Sequence, residues 1–417
     1  MSVRDLVRES ASVGRLVVWE ESARDGAQAK TLMPGPFRVR LAREHGALFG
    51  SDGPRHVVFA AGFPAVCPEE YEAVRQVAVE TEGQVSAAAV CRGSLADVRQ
   101  AVASVRGVAH ARVMVVVPAS EAMARAMVHQ DARAALSKGV DLVKAARDLS
   151  EDVAVDVCLA DASRADHARM AEAAAEMTAA GGGTVLLADT VGRQLPAEAA
   201  EMFAGVGAAA GPGVLLGAHL HNDLGLGLAN TLQALQAGVR VVSSSWLGLA
   251  ERSGMVATEQ LLFLLAHDPG RTAGLTGCPE GGELWWRAPD LTRLPGIAAM
   301  VSEQTGVPLS VTTPVVGSGV GTISTGTPFV DPDLFQPYDP RSLLGIEPTV
   351  VLTQLASARV VAAVAARHGH RIDGAAAKDA MAWVKSQAFR TGRAVVDEHL
   401  FAAYLDGLGS RCAGATG

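Results

Sequence analysis

Three observations predict an α/β fold for this 417-residue chain: a (β/α)8 TIM barrel followed by a C-terminal extended arm and a small helical subdomain. First, short β-rich runs alternate with helical patterns from residue 15 to 268, a length that suits one barrel of about 250 residues. Second, the turn after the first strand reads Arg24-Asp25-Gly26-Ala27-Gln28. An open doubly wound sheet would place a glycine-rich phosphate loop there. Third, the texture changes after residue 268. Residues 305–345 are dense in Gly, Pro, Ser and Thr, and helical periodicity returns at about residue 348.

The strand candidates are 15–22, 56–63, 84–91, 110–118, 153–160, 184–189, 214–221 and 240–247, apolar runs of the kind that parallel strands need when both faces are covered. Helical spacing is read at Pro68–Glu80, Leu95–Arg106, Arg164–Ala180, Pro196–Ala208, Gly225–Gly238 and Thr258–Ala266. Behind the barrel, helices are expected over Val350–His368, Gly374–Gln387 and Asp397–Leu405. The expected domains are therefore a barrel at 15–268, a linker and arm at 269–345, and a helical subdomain at 346–408. There is no internal repeat, and the tail from Gly409 is expected to fray.

Composition narrows the function classes. The chain is 49% hydrophobic with a net charge of −8 and no basic run, so no nucleic-acid partner is expected. No apolar run reaches transmembrane length, so no membrane association is expected. Cys67, Cys91, Cys158, Cys278 and Cys412 have no paired spacing, which suits reduced thiols and predicts a cytoplasmic protein.

The chemistry is concentrated at two strand ends. Asp25 follows the first strand, and His219 and His221 end the seventh, where a two-residue offset points both rings to one face. One carboxylate and two imidazoles make a facial set for a divalent ion with coordination positions left open. Such an ion keeps residual positive charge and favours an anionic bidentate ligand such as an α-keto acid. Arg24, beside Asp25, is placed to stabilise an oxyanion formed when a carbon nucleophile attacks.

Arg24-Asp25-Gly26-x-Gln28 together with His219-x-His221-Asn222-Asp223 resembles the metal-dependent barrel superfamily of 2-isopropylmalate synthase, homocitrate synthase and hydroxymethylglutaryl-CoA lyase. Gly62-Phe63-Pro64-Ala65, Cys91-Arg92, Asp189-Thr190-Val191-Gly192 and Gly248-Leu249-Ala250-Glu251-Arg252-Ser253-Gly254 extend the likeness on the synthase side. The resemblance implies Asp25, His219 and His221 as ligands of a divalent metal (Mg, Mn, Co or Zn), with Arg24 as electrostatic catalyst. Glu20 and Glu251 are candidates for proton transfer, and Gln28, Thr190 and Arg92 for substrate contacts. It makes Asn222 and Asp223 candidates for orienting the imidazoles. The implied reaction is a Claisen-type condensation of an acyl-CoA, acetyl-CoA by expectation, with an α-keto acid. A homodimer is expected with it.

Departures from that pattern concern the base. The arm's usual histidine segment is Ile323–Pro328 here, with no histidine. The strand-five glutamate corresponds to Ala160, the strand-four histidine to Met114, and residues before the Asp-Thr-Val-Gly turn to Leu186 and Ala188. Met255 stands where an asparagine can complete the metal shell. Three readings stay open: a different keto substrate with another base (Glu20, Glu21, His129 or Glu251), a metal-assisted aldol or retro-aldol reaction on a hydroxy acid, or a ligand-binding paralogue without turnover. Glu20 is favoured over Glu21 because it occupies the family's acidic position. Cys91 and Cys158 read as packing residues, and Trp285-Trp286 as the seam between the barrel and the C-terminal subdomain.

Overall fold

The computed structural model describes residues 5–277, 283–331 and 334–413. Cys278 and the last four residues of the tail lie outside them, as does the side chain of Cys412. The chain forms two compact units, Met1–Pro308 and Leu309–Gly417.

The first unit is a closed parallel barrel of eight strands in chain order: β1 (Val17–Glu20), β2 (Val57–Gly62), β3 (Ser86–Arg92), β4 (Arg112–Pro118), β5 (Ala154–Ala160), β6 (Val185–Asp189), β7 (Leu216–Leu220) and β8 (Val241–Ser244). β1 closes the ring by pairing with both β2 and β8, Val18 opposite Val57 and Val242. Nearly every strand residue is buried because helices cover the outer face, which is why the strands read as continuous apolar runs. Inside the barrel, Val17, Trp19, Val58, Ala60, Val90, Met114, Cys158, Leu186 and Ala188 form one core. All C-terminal strand ends open on one rim, the rim that carries active sites in this architecture.

The opposite end is closed by an N-terminal helix, Leu6–Ser12, whose Val7 and Ala11 join the barrel core. The Arg112 guanidinium, buried at the start of β4, binds Asp156 and Asp5, which caps that helix. The sequence reading placed no element there.

Helix bounds shift where local chemistry intervenes. A 3-10 turn at Ala162–Arg164 precedes the helix His167–Ala179, which Asp166 caps through the Arg169 N–H. After β4 lie two helices, Glu121–Val128 and Ala132–Leu149, with His129 in a left-handed conformation (φ 55°) between them. The helix Leu294–Thr305 belongs to the barrel unit, where it buries Leu294, Ile297, Ala298 and Val301. That burial moves the unit boundary to Pro308, so much of the expected 269–345 linker is part of the barrel unit.

The Trp285-Trp286 pair, read from the sequence as a seam residue pair, finds partners inside the barrel unit. Trp285 packs on Phe49 and His56, while Trp286 lies between Arg15 and Arg55 and donates its indole N–H to Ser10. The pair therefore packs within the barrel unit. The physical cause is main-chain pairing: Leu16 N–H donates to Leu284 C=O, and Trp286 N–H donates to His56 Nε2.

The second unit packs Leu352, Val360, Val361, Val364, Val384, Phe401 and Leu405 around the helices Ala358–Arg367, Gly374–Thr391 and Glu398–Ala413. The helix expected from Val350 begins only at Ala358, because Thr349–Val350 pairs in parallel with Thr322–Ile323. Among the described residues, no helix is long and apolar enough to cross a membrane.

Candidate metal centre

The turn after β1 is built around one carbonyl. The Glu21 C=O accepts N–H bonds from Arg24, Asp25 and Gly26, a tight reversal that lifts the Arg24 and Asp25 side chains over the rim. Arg24 is buried and donates from Nε to Glu21 Oε2 at 2.6 Å, and its Nη1 lies 3.1 Å from Asp25 Oδ2. Its guanidinium carbon sits 5.7 Å from the Phe63 ring centre. Burial would raise the Asp25 carboxyl, but the Arg24 charge and the two histidines outweigh it and hold it well below the usual carboxylate range. The Glu251 N–H adds a bond to Asp25 Oδ1 at 3.0 Å.

From β7 come the two imidazoles. His219 Nε2 lies 3.4 Å and His221 Nε2 3.6 Å from Asp25 Oδ2, with the ring centres 5.3 Å apart and edge to face. One ligand atom from each of the three residues lies within 4.8 Å of the others, and all three residues are buried. A carboxylate held ionised and two imidazole nitrogens turned toward one of its oxygens fit a divalent cation of the Mg, Mn, Co or Zn group. Met255 pairs with His221 across an isolated antiparallel bridge and does not line the adjoining cavity.

A cavity of about 480 Å3 opens on this cluster. Arg24, Asp25, His219, His221, Gln28, Thr190, Arg92 and Glu251 all line it, so the structure brings these sequence candidates to one place. Much of the remaining wall is apolar: Phe63, Val66, Val116, Ala160 and Ala188, with Met123 and Met127 from the helix after β4. Those two methionines were missed, since nothing in their local sequence points to a site. Cys158 also lines the wall, and burial pushes its thiol up to about 12, which suits a neutral packing group.

Glu20 is not part of this cavity. Val17 and Trp19 face the barrel interior, so the two-residue period puts Glu21 inward and Glu20 outward. There Glu20 Oε1 accepts from the Ser22 N–H and hydroxyl, and burial pushes its carboxyl up to about 8. The preference for Glu20 over Glu21 is corrected on that ground. His129 does not line the cavity either; its residue terminates the helix Glu121–Val128.

Asn222 and Asp223 make their hydrogen bonds to the loops. Asn222 Oδ1 accepts from the Gly227 N–H at the next helix start, and Asp223 pairs with Arg252. Arg252 also reaches the Thr190 C=O and Glu251, joining the loops after β6, β7 and β8. The Thr190 hydroxyl accepts from the Asp161 N–H at 2.8 Å, leaving its own proton for the cavity. Asp161, in a left-handed conformation (φ 62°), is bound further by Ser120 and Arg164.

An eight-stranded parallel barrel with an Asp and two His converging at its C-terminal rim defines the class: a (β/α)8 protein with a candidate divalent-metal centre. The HMGL-like family model matches residues 55–297, and the chain belongs to that family. It is 29% identical over 323 residues to a 2-isopropylmalate synthase of Neisseria gonorrhoeae, covering 76% of this chain and 50% of that relative. It is 32% identical over 314 residues to the 2-isopropylmalate synthase of Solidesulfovibrio magneticus, covering 73% and 56%. The chain thus spans about half the length of the curated relatives it matches. Its fold is shared with the HMG-CoA lyase of Brucella melitensis, with a TM-score of 0.56 and 21% identity over 70% of this chain and 99% of that one. The hydroxymethylglutaryl-CoA lyase of Pseudomonas aeruginosa gives 0.54 and 23%, over 70% and 93%.

Proposed function

We propose that this chain catalyses a divalent-metal-dependent condensation of an acyl-CoA, acetyl-CoA first, with an α-keto acid, in the manner of the 2-isopropylmalate synthases it is similar to. The observation that carries the reading is the convergence of Asp25, His219 and His221 beside buried Arg24 at the mouth of a 480 Å3 cavity. A divalent ion bound there would polarise the keto carbonyl as a Lewis acid.

The protein's own groups account for the rest. Thr190 donates its hydroxyl to the keto-acid carboxylate. Glu251, whose carboxylate is half exposed beside Arg252, takes a proton from the acyl α-carbon. The resulting carbanion forms the new C–C bond at the keto carbon, and the carbonyl electron pair moves onto oxygen, where Arg24 offsets the charge before that oxygen is protonated. Hydrolysis of the thioester then releases the CoA thiol and a second carboxylate. The apolar walls around Ala160 and Ala188 suit an uncharged side chain on the keto acid. A cytoplasmic homodimer belongs to the same proposal, and light scattering of the purified protein tests the oligomer.

The test is free-thiol release from acetyl-CoA over a panel of keto acids, with and without Mn2+. Metal-dependent thiol release with one or more of them is expected. A silent panel would overturn the condensation, and the outcomes then divide. Cleavage of a hydroxy acid without acyl-CoA would favour an aldolase or lyase, and binding of metal and keto acid without turnover would favour a ligand-binding protein. His219→Ala should abolish Mn2+ retention by elemental analysis with an unchanged circular dichroism spectrum; full occupancy in that variant would place the ion elsewhere.

A further inference from the structure

We propose that Glu21 is the positioning residue of this centre, holding Arg24 with one carboxylate oxygen and the His219 ring with the other. The inference rests on the reading of Asp25, His219 and His221 as metal ligands. Glu21 is fully buried and is not among the residues lining the cavity, so it does not touch substrate. Its Oε2 accepts from Arg24 Nε at 2.6 Å. Its Oε1 lies 3.5 Å from His219 Nδ1, and among the described residues neither atom has a hydrogen-bond partner. A small rotation of either side chain closes that pair.

The chemical consequence is a choice of tautomer. A proton on Nδ1 aimed at a carboxylate leaves the Nε2 lone pair pointing toward Asp25 and the ion position. Among the described residues His221 Nδ1 also lacks a hydrogen-bond partner, and the ion pair of its ring runs from Nε2 to Asp25. The same residue's main chain reinforces the arrangement. The Glu21 N–H donates to Ser244 C=O at 2.9 Å on β8, and its C=O collects the three N–H groups of the Arg24–Gly26 turn. One residue thereby sets the turn that carries Asp25, the rotamer of Arg24 and the orientation of His219. It supplies this carboxylate from the turn after β1, in a barrel whose β5 ends on Ala160.

The experiment measures Mn2+ affinity by electron paramagnetic resonance of the free ion, alongside long-range 1H–15N spectra of ring-labelled histidine with His219 assigned by His219→Gln. Glu21→Ala is expected to weaken Mn2+ binding by about 10- to 100-fold and to shift His219 away from the Nδ1–H tautomer. Glu21→Gln, near in shape, keeps an acceptor for the ring and should lose about tenfold. Glu20→Gln, on the outer face, should change neither readout. Unchanged affinity and tautomer in Glu21→Ala would overturn the inference. If that variant fails to fold, unchanged affinity in Glu21→Gln overturns it and a tenfold loss supports it. Wild-type protein that binds no Mn2+, or a His219→Ala variant that keeps it, would instead defeat the metal reading itself.

Discussion

Arg252 grips both carboxylate oxygens of Asp223, Nε on Oδ1 and Nη2 on Oδ2, each at 3.0 Å. The same Nη2 reaches the Thr190 C=O at 2.6 Å. A planar guanidinium meets such a geometry; an ammonium cannot. Arg252→Ala should release the loops that hold Thr190 and Glu251, lowering thiol release by about 100-fold while Mn2+ affinity stays at its wild-type value. Arg252→Lys should recover only part of the rate. Equal losses of metal and turnover would mean that Arg252 supports the ion directly.

Gly192 makes that clasp possible. It sits at φ 64°, and a Cβ there would fall 2.3 Å from Asp223 Oδ2. Gly192→Ala therefore strains the backbone and pushes the carboxylate off Arg252. A loss of about 1–3 kcal/mol in denaturant unfolding is expected. A wild-type midpoint would show that the turn has room after all.

The buried His56 ring should make the barrel acid-sensitive. Its Nδ1 lies 2.7 Å from the Leu16 C=O and its Nε2 accepts the Trp286 N–H at 2.9 Å, so only the neutral Nδ1–H tautomer satisfies both. Burial holds the ring down at about 4. Because the unfolded chain binds this proton near 6.5, stability falls as pH drops from 6.5 toward 4 and is fully present above that window. This residue should cost about 2 kcal/mol between pH 7 and pH 5 in urea unfolding. His56→Gln should be less stable at pH 7 but flatter across that range; an equally steep profile would assign the acid sensitivity to other groups.

Filling the cavity wall should separate substrate fit from metal binding. Ala188 is buried on β6 and lines the cavity. On the proposed reading Ala188→Phe occupies volume that the keto-acid side chain would take. Long apolar keto acids should then lose affinity about 5- to 150-fold, as overpacking costs of about 1–3 kcal/mol imply. Pyruvate should be less affected, and Mn2+ affinity should hold. Equal losses for short and long acids would place the side chain elsewhere.

The barrel was legible because its strands are apolar on both faces and punctuated by helices, a pattern that composition and period expose directly. The donor set was legible for a simpler reason: Asp25 adjoins a strand end, and His219 and His221 are two residues apart, so a shared face needs no knowledge of the rest of the chain. Glu20 against Glu21 could not be decided that way. Val17, Val18 and Trp19 are all fully buried, so β1 shows no polar side from which to tell inward from outward. Family likeness pointed to Glu20, and the closed ring turned Glu21 in.

Linear order alone therefore specified eight parallel strands with one acid and two imidazoles at their ends. It also marked the arginine beside that acid. Closure of the sheet settled which glutamate backs the centre, which helix brings Met123 and Met127 to the wall, and that Trp285 and Trp286 pack beside His56. Those choices depend on contacts between residues far apart in the chain, whose energies a local pattern does not contain.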